Sequence, residues 1–142
     1  MKTASLCCAR LIGFLVLAVA LASGQNHASP KYDSANEVKV KGAVESIKEV
    51  PNSCGKLSCL HLMLKTDKGL LEVQIAPLEF LKELEVAFTP GEPLEIVGAN
   101  VKQGDTDLLL AREILRKGGD AVVTRDPKGD PVWTFMLSKQ KN

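Results

Sequence analysis

Cys54, Cys59, His61 and Met63 lie within ten residues, in the stretch Cys54-Gly-Lys-Leu-Ser-Cys-Leu-His-Leu-Met63. Thiolate, imidazole and thioether together suit a soft ion such as Cu(I), with Zn as the other candidate. On an extended strand Cys59, His61 and Met63 share one face, opposite Leu60, Leu62 and Leu64. The spacing is not that of paired C-x-x-C zinc ligands. In an oxidising compartment the same two cysteines read first as a disulfide. Closing so short a loop contributes only about 2 kcal/mol. Disulfide, metal site and free thiols all remain open, with the disulfide foremost.

A second set of candidates lies toward the C-terminus. Arg112 and Arg125, the latter beside Asp126, offer an anion-binding spot or an ion pair; surface charges flanking a turn are the plainer reading. Trp133 follows Gly129-Asp-Pro131 and either covers one end of a core or stacks on a ligand. His61, Arg112, Arg125 and Trp133 are thus the candidate ligand- or partner-binding residues.

Catalysis has little to draw on. The second histidine, His27, falls in a polar segment, which leaves His61 as the one credible base. Neither a Gly-x-Ser-x-Gly elbow nor a glycine-rich phosphate loop is present in the sequence. Glu79 and Glu83 lie four apart beside Lys82, as solvated helix charges do. No catalytic residue is assigned, and an enzyme is not expected.

These residues need elements to position them, and the pattern is mainly β. Val38, Val40, Val44, Ile47 and Val50 mark a long first strand over Glu37–Val50, interrupted by Gly42. Pro51–Gly55 is loop chemistry, and Ser58–Thr66 a second strand. Asp67-Lys-Gly69 turns it into a third, Leu70–Ala76. The period then changes: Pro77, Leu78, Leu81, Leu84 and Phe88 predict a short amphipathic helix. A fourth strand spans Leu94–Val101. Leu108–Arg116 fits either a capped helix or a strand, and the tight turn before it favours the strand, with Leu108, Leu110 and Ile114 on one face. Ala121–Thr124 and Pro131–Trp133 predict a C-terminal hairpin.

The order β-β-β-α-β-β is that of an OB-fold, a five-stranded, partly open barrel with one helix between strands 3 and 4. The segment from Val40 to Trp133 also resembles small exported bacterial OB-fold-like proteins, mostly uncharacterised. The matching pieces are Lys41-Gly-Ala-Val44, His61-Leu-Met-Leu-Lys-Thr-Asp67, Ala111-Arg-Glu-Ile114 and Arg125–Trp133. That resemblance implies a fold and a compartment but supplies no catalytic residue.

The N-terminus carries Lys2 and Arg10, then the apolar run Leu11–Ala22, then small residues. This is the order of a secretory signal peptide, cleaved after Ala22 or Gly24, and the run is shorter than the roughly 20 residues that span a bilayer. The expected organisation is a signal peptide over 1–24, a flexible leader over 25–36, an OB-fold-like domain over 37–134 and a polar tail over 135–142. Cleavage removes Cys7 and Cys8. It also removes two bases, so 18 bases against 17 acids become 16 against 17, a net charge of −1. Acids and bases are interspersed, so nothing neutralises a run of phosphates and nucleic acid is not an expected partner. The expectation is an exported, periplasmic or secreted, non-enzymatic module. It would bind a protein, peptide or small ligand without stable membrane insertion. The alternative is a periplasmic soft-metal carrier using Cys54, Cys59, His61 and Met63.

Overall fold

A computed structural model describes residues 30–139. The predicted signal peptide, residues 25–29 of the leader, Cys7, Cys8 and His27 lie outside the described residues, as do residues 140–142. Six strands and two short helices follow a 3₁₀ turn at Ser34–Asn36: β1 (Glu37–Cys54), β2 (Leu57–Thr66), β3 (Gly69–Pro77), α1 (Leu78–Glu83), β4 (Pro93–Gln103), β5 (Thr106–Arg116), β6 (Ala121–Val123) and α2 (Phe135–Lys139). None of the described helices is long and apolar enough to cross a membrane.

The strands run in the order β3-β2-β1-β4-β5-β6, and β3 pairs again with β5, closing five of them into a barrel. β1 makes this closure possible. Its N-terminal half pairs with β4 from Glu37 to Ala43, and its C-terminal half pairs with β2 from Ala43 to Cys54. The strand must coil sharply where it changes partner, and Gly42 stands there. A Cβ on Gly42 would meet the Lys65 carbonyl oxygen at 2.5 Å, so only glycine lets the two backbones approach. The strand order, the closing β3–β5 pair and the helix between β3 and β4 together make this the OB-fold-like barrel expected.

β5 resolves its helix-or-strand ambiguity as a strand, with one change to its faces. Its first half runs parallel to β3 and its second half pairs with β6. Opposite β4, Gly98 pairs with Ala111 but Val97 pairs with Glu113, so Arg112 is bulged out. That extra residue reverses the alternation. Ile114 therefore joins Leu109 and Ala111 in the main core instead of sharing a face with Leu108 and Leu110. The latter two pack outside the barrel with Ala99 and Tyr32.

Other boundaries shift, and β1 runs on to Cys54 through most of the stretch expected as loop. α1 stops at Glu83, because Leu84 caps it and Glu85 turns left-handed at φ 54°. Leu84 is exposed, and Phe88 reaches the core from an extended segment. The leader assigned to 25–36 ends in fixed structure, with Tyr32 buried. Residues 135–139 of the supposed polar tail form α2 and bury Met136 in the core. The expected C-terminal hairpin is present in reduced form, as an antiparallel bridge between Arg125 and Pro131 with the Val132 amide donating to the Thr124 carbonyl.

Candidate functional site

The two cysteines are bonded to each other, their Cα atoms 5.5 Å apart. Both are buried, and they tie the end of β1 to the start of β2. Both thiol sulfurs of the four-residue soft-metal set are thereby taken up, so the predicted thiolate site has no thiolates to offer. His61 is occupied as well. Its Nδ1 lies 2.8 Å from Glu72 Oε1, which Lys48 Nζ also contacts at 2.8 Å. Glu72 can only accept in this arrangement, so Nδ1 carries the proton and Nε2 is a bare acceptor. Nε2 is enclosed and has no hydrogen-bond partner among the described residues. Burial pushes the His61 pKa down, the Glu72 hydrogen bond opposing it, and the imidazole is held neutral near pH 7. Met63 is half-buried on β2, opposite Glu72. No group of three or more metal-ligating His, Cys, Asp or Glu side chains occurs among the described residues.

The two arginines behave very differently. Bulged out of β5, Arg112 reaches Glu37 at the start of β1 with a two-pronged contact, Nε to Oε2 at 3.0 Å and Nη2 to Oε1 at 2.9 Å. The Tyr32 hydroxyl donates to the same carboxylate. Burial first, then this hydrogen bond to an ionised carboxylate, pushes the Tyr32 pKa up to about 12. Arg112 thus fastens the segment before β1 to the barrel wall.

Arg125 is held at its backbone and left nearly free at its tip. The Thr124 hydroxyl donates to the Ala111 carbonyl at 2.7 Å, and the amides of Thr124 and Arg125 both donate to the Arg112 carbonyl. These bonds fix the chain as it leaves β6. Asp126 then organises the turn, its Oδ1 accepting from the amides of Lys128 and Asp130 at 2.8 and 2.9 Å. Gly129 completes the turn at φ +91°, and a Cβ there would overlap the Tyr32 ring. The Arg125 guanidinium lies over that same ring at 5.4 Å from its centroid. Its side chain makes one hydrogen bond among the described residues, from Nη1 to the Gly129 carbonyl at 2.9 Å. No carboxylate there lies within 4.0 Å of it, although the residue is only 9% exposed.

Arg125 lines a groove of about 340 Å³, whose walls include Tyr32, the Ser53–Gly55 stretch, Gln74 and Trp133. Gln74 sets the inner wall by donating from Nε2 to the Ser53 carbonyl at 2.6 Å. Trp133 is buried beside the disulfide in the main core, with its indole Nε1 enclosed and without a partner among the described residues. The structure therefore gathers Arg125, Trp133 and Cys54 around one groove. Arg112 is committed to Glu37, and His61 to Glu72 on the barrel wall. Sequence reasoning missed Tyr32 and Gln74: the leader around Tyr32 has no periodicity, and Gln74 sits in an otherwise ordinary strand.

Residues 36–121 match the MamS/MamX magnetosome protein family, more than half of the chain. The chain belongs to that family. The matched stretch runs from the turn before β1 to the start of β6, so it contains the barrel of this MamS/MamX protein and one wall of the groove. Arg125, Gly129 and Trp133 lie beyond it. No curated protein matches the chain. Among solved structures it is similar to a mitochondrial single-stranded DNA binding protein from S. cerevisiae, at 9% identity and a TM-score of 0.43, over 66% of this chain and 97% of that one.

Proposed function

We propose that this MamS/MamX-family chain is a non-enzymatic recognition module of a magnetosome system. It works outside the cytoplasm and holds a protein, peptide or small ligand in the groove between the disulfide loop and the Asp126–Gly129 turn. The observation that carries this reading is the buried Arg125 guanidinium, which faces the groove with no carboxylate within 4.0 Å among the described residues, Asp130 in the groove wall included. A buried charge is costly unless something pairs with it, and a recognition site provides that something. Larger hollows of about 650 and 880 Å³ lie elsewhere on the barrel, but Lys39 and Lys41 are paired there with Glu95, and Lys102 with Asp107. The disulfide suits an oxidising compartment, in keeping with the basic, apolar, small order of the N-terminus. Against catalysis stands His61, whose one free nitrogen is enclosed in the protein.

The test is complementation in the native bacterium after deletion of the gene. Lys31→Glu with Lys128→Glu reverses the charge of the groove mouth, whereas Lys82→Glu on α1 leaves the groove untouched. All chains should accumulate with the disulfide intact. The double variant should fail to restore the number of magnetosomes per cell, and Lys82→Glu should restore it. Full rescue by the double variant would overturn the reading.

A further inference from the structure

We propose that the groove takes a carboxylate group of a peptide, gripped by the free edge of the Arg125 guanidinium. This rests on the groove being the recognition surface and adds the chemistry of what enters it. Nη1 is bonded to Gly129, which leaves Nε and Nη2 without partners among the described residues. They are not sealed in: the enclosed orphan nitrogens among the described residues are His61 Nε2 and Trp133 Nε1. Two N–H groups on one planar edge match the two oxygens of a carboxylate. The Tyr32 ring, 5.4 Å from the guanidinium carbon, and the Gly129 carbonyl hold the guanidinium from two sides. Lys31 and Lys128 at the mouth outnumber Asp130, so the groove draws an anion.

The turn itself argues against phosphate. Phosphate sites usually recruit several backbone amides in a nest. Here the amides of Asp126, Lys128, Gly129 and Asp130 are all spent within the turn, on the Asp130 and Asp126 carbonyls and on Asp126 Oδ1. What remains is one side-chain fork, suited to a flat, singly charged group. A cavity of about 340 Å³ is at the small end for ligand sites, and admits a residue or two of peptide.

The carboxylate has two sources, a chain terminus or an acidic side chain, and an NMR titration of the ¹⁵N-labelled, disulfide-intact protein separates them. The probes are N-acetyl-glycylglycine, N-acetyl-glutamic acid α-amide, whose one free carboxylate is on the side chain, N-acetyl-glycylglycinamide and inorganic phosphate. Trp133 is the sole tryptophan, so its indole N–H signal reports the groove unambiguously, alongside the Arg125 Nε–H signal. Saturable shifts of both are expected with at least one carboxylate probe, and the tighter of the two identifies the source. The neutral amide should produce none. Arg125→Gln should weaken binding about tenfold or more, and Arg125→Lys, which keeps the charge but loses the fork, should weaken it as well. Undiminished binding to Arg125→Lys, or saturation by phosphate alone, overturns the proposal. So does silence from both carboxylates; if the groove-mouth variant still fails to complement, the recognition reading stands and only the ligand class falls.

Discussion

Arg112 shares a carboxylate with the Tyr32 hydroxyl and Arg125 lies over the Tyr32 ring, and the two spend their charge in opposite ways. Arg112 makes two hydrogen bonds to Glu37, and Tyr32 adds a third to the same carboxylate. Arg125 has the ring of Tyr32 and a single carbonyl. The bulge explains the first: a residue left out of the β4–β5 ladder is free to reach across to β1. The second is explained by its backbone, which Thr124 and Asp126 pin while the side chain stays uncommitted. A protein can thus use one arginine to assemble a wall and another, thirteen residues on, to face a guest.

The largest effect expected from breaking this contrast is at the committed arginine. Arg112→Met leaves Glu37 half-buried without its counter-charge and loosens the tie between the segment carrying Tyr32 and β5. Hydrogen bonds to charged groups are worth about 1.5 to 3 kcal/mol, and urea unfolding should show a loss of that order. A loss below 1 kcal/mol would mean that Glu37 simply turns to water, and the contrast with Arg125 would dissolve.

Next comes the opposite wall of the groove. Cys54→Ala with Cys59→Ala removes a crosslink of sequence separation 5, and loop entropy sets its contribution at about 2 kcal/mol. The unfolding midpoint should fall accordingly, and reduction of the unaltered protein with dithiothreitol should reproduce the shift. A midpoint indifferent to dithiothreitol would show that the crosslink does not stabilise the chain.

How far the sequence led differs between the barrel and the groove, for physical reasons. Alternation and turn chemistry are local, so β2, β3 and the Asp67–Gly69 turn were legible, as was the need for Gly42 in a long coiled strand. A bulge is not local. Nothing in Leu108–Arg116 announces that Arg112 drops out of register, because the misfit arises against Gly98 on another strand. The disulfide was legible from spacing and compartment. The groove was legible in pieces: Arg125 and Trp133 stood out as residue types, but Tyr32 and Gln74 enter the groove through contacts made across 21 residues or more, Tyr32 with Arg125 and Gly129 and Gln74 with Ser53.

His61 offers a pH-dependent comparison between the closed wall and the open groove. Its folded pKa lies below the value of about 6.5 expected of an unfolded chain. Between those two values the unfolded chain binds a proton that the folded protein refuses. Stability should therefore be full above about pH 6.5 and fall as the pH drops below it, by at most about 1.4 kcal/mol per pH unit from this one group. Unfolding free energies measured between pH 7 and 5 should show the decline, and His61→Asn should flatten it. An unchanged slope in the variant would assign the decline to other groups.

The smallest effect expected on stability is the most informative about the groove. Arg125→Met exchanges a buried, poorly paired cation for an apolar side chain of similar length. Removing a charge that lacks a carboxylate partner strands no counter-ion, and such exchanges are often neutral or stabilising. The variant should unfold within about 1 kcal/mol of the parent, while Arg112→Met loses more than that. The contacts to be lost are one hydrogen bond to Gly129 and the cation–π contact with Tyr32. Methionine can still pack against that ring. If Arg125→Met proves as damaging as Arg112→Met, both arginines are struts, and a residue required for folding is no longer a sign of a guest. If stability holds and carboxylate binding disappears, the cost of burying that charge is offset only when the groove is filled.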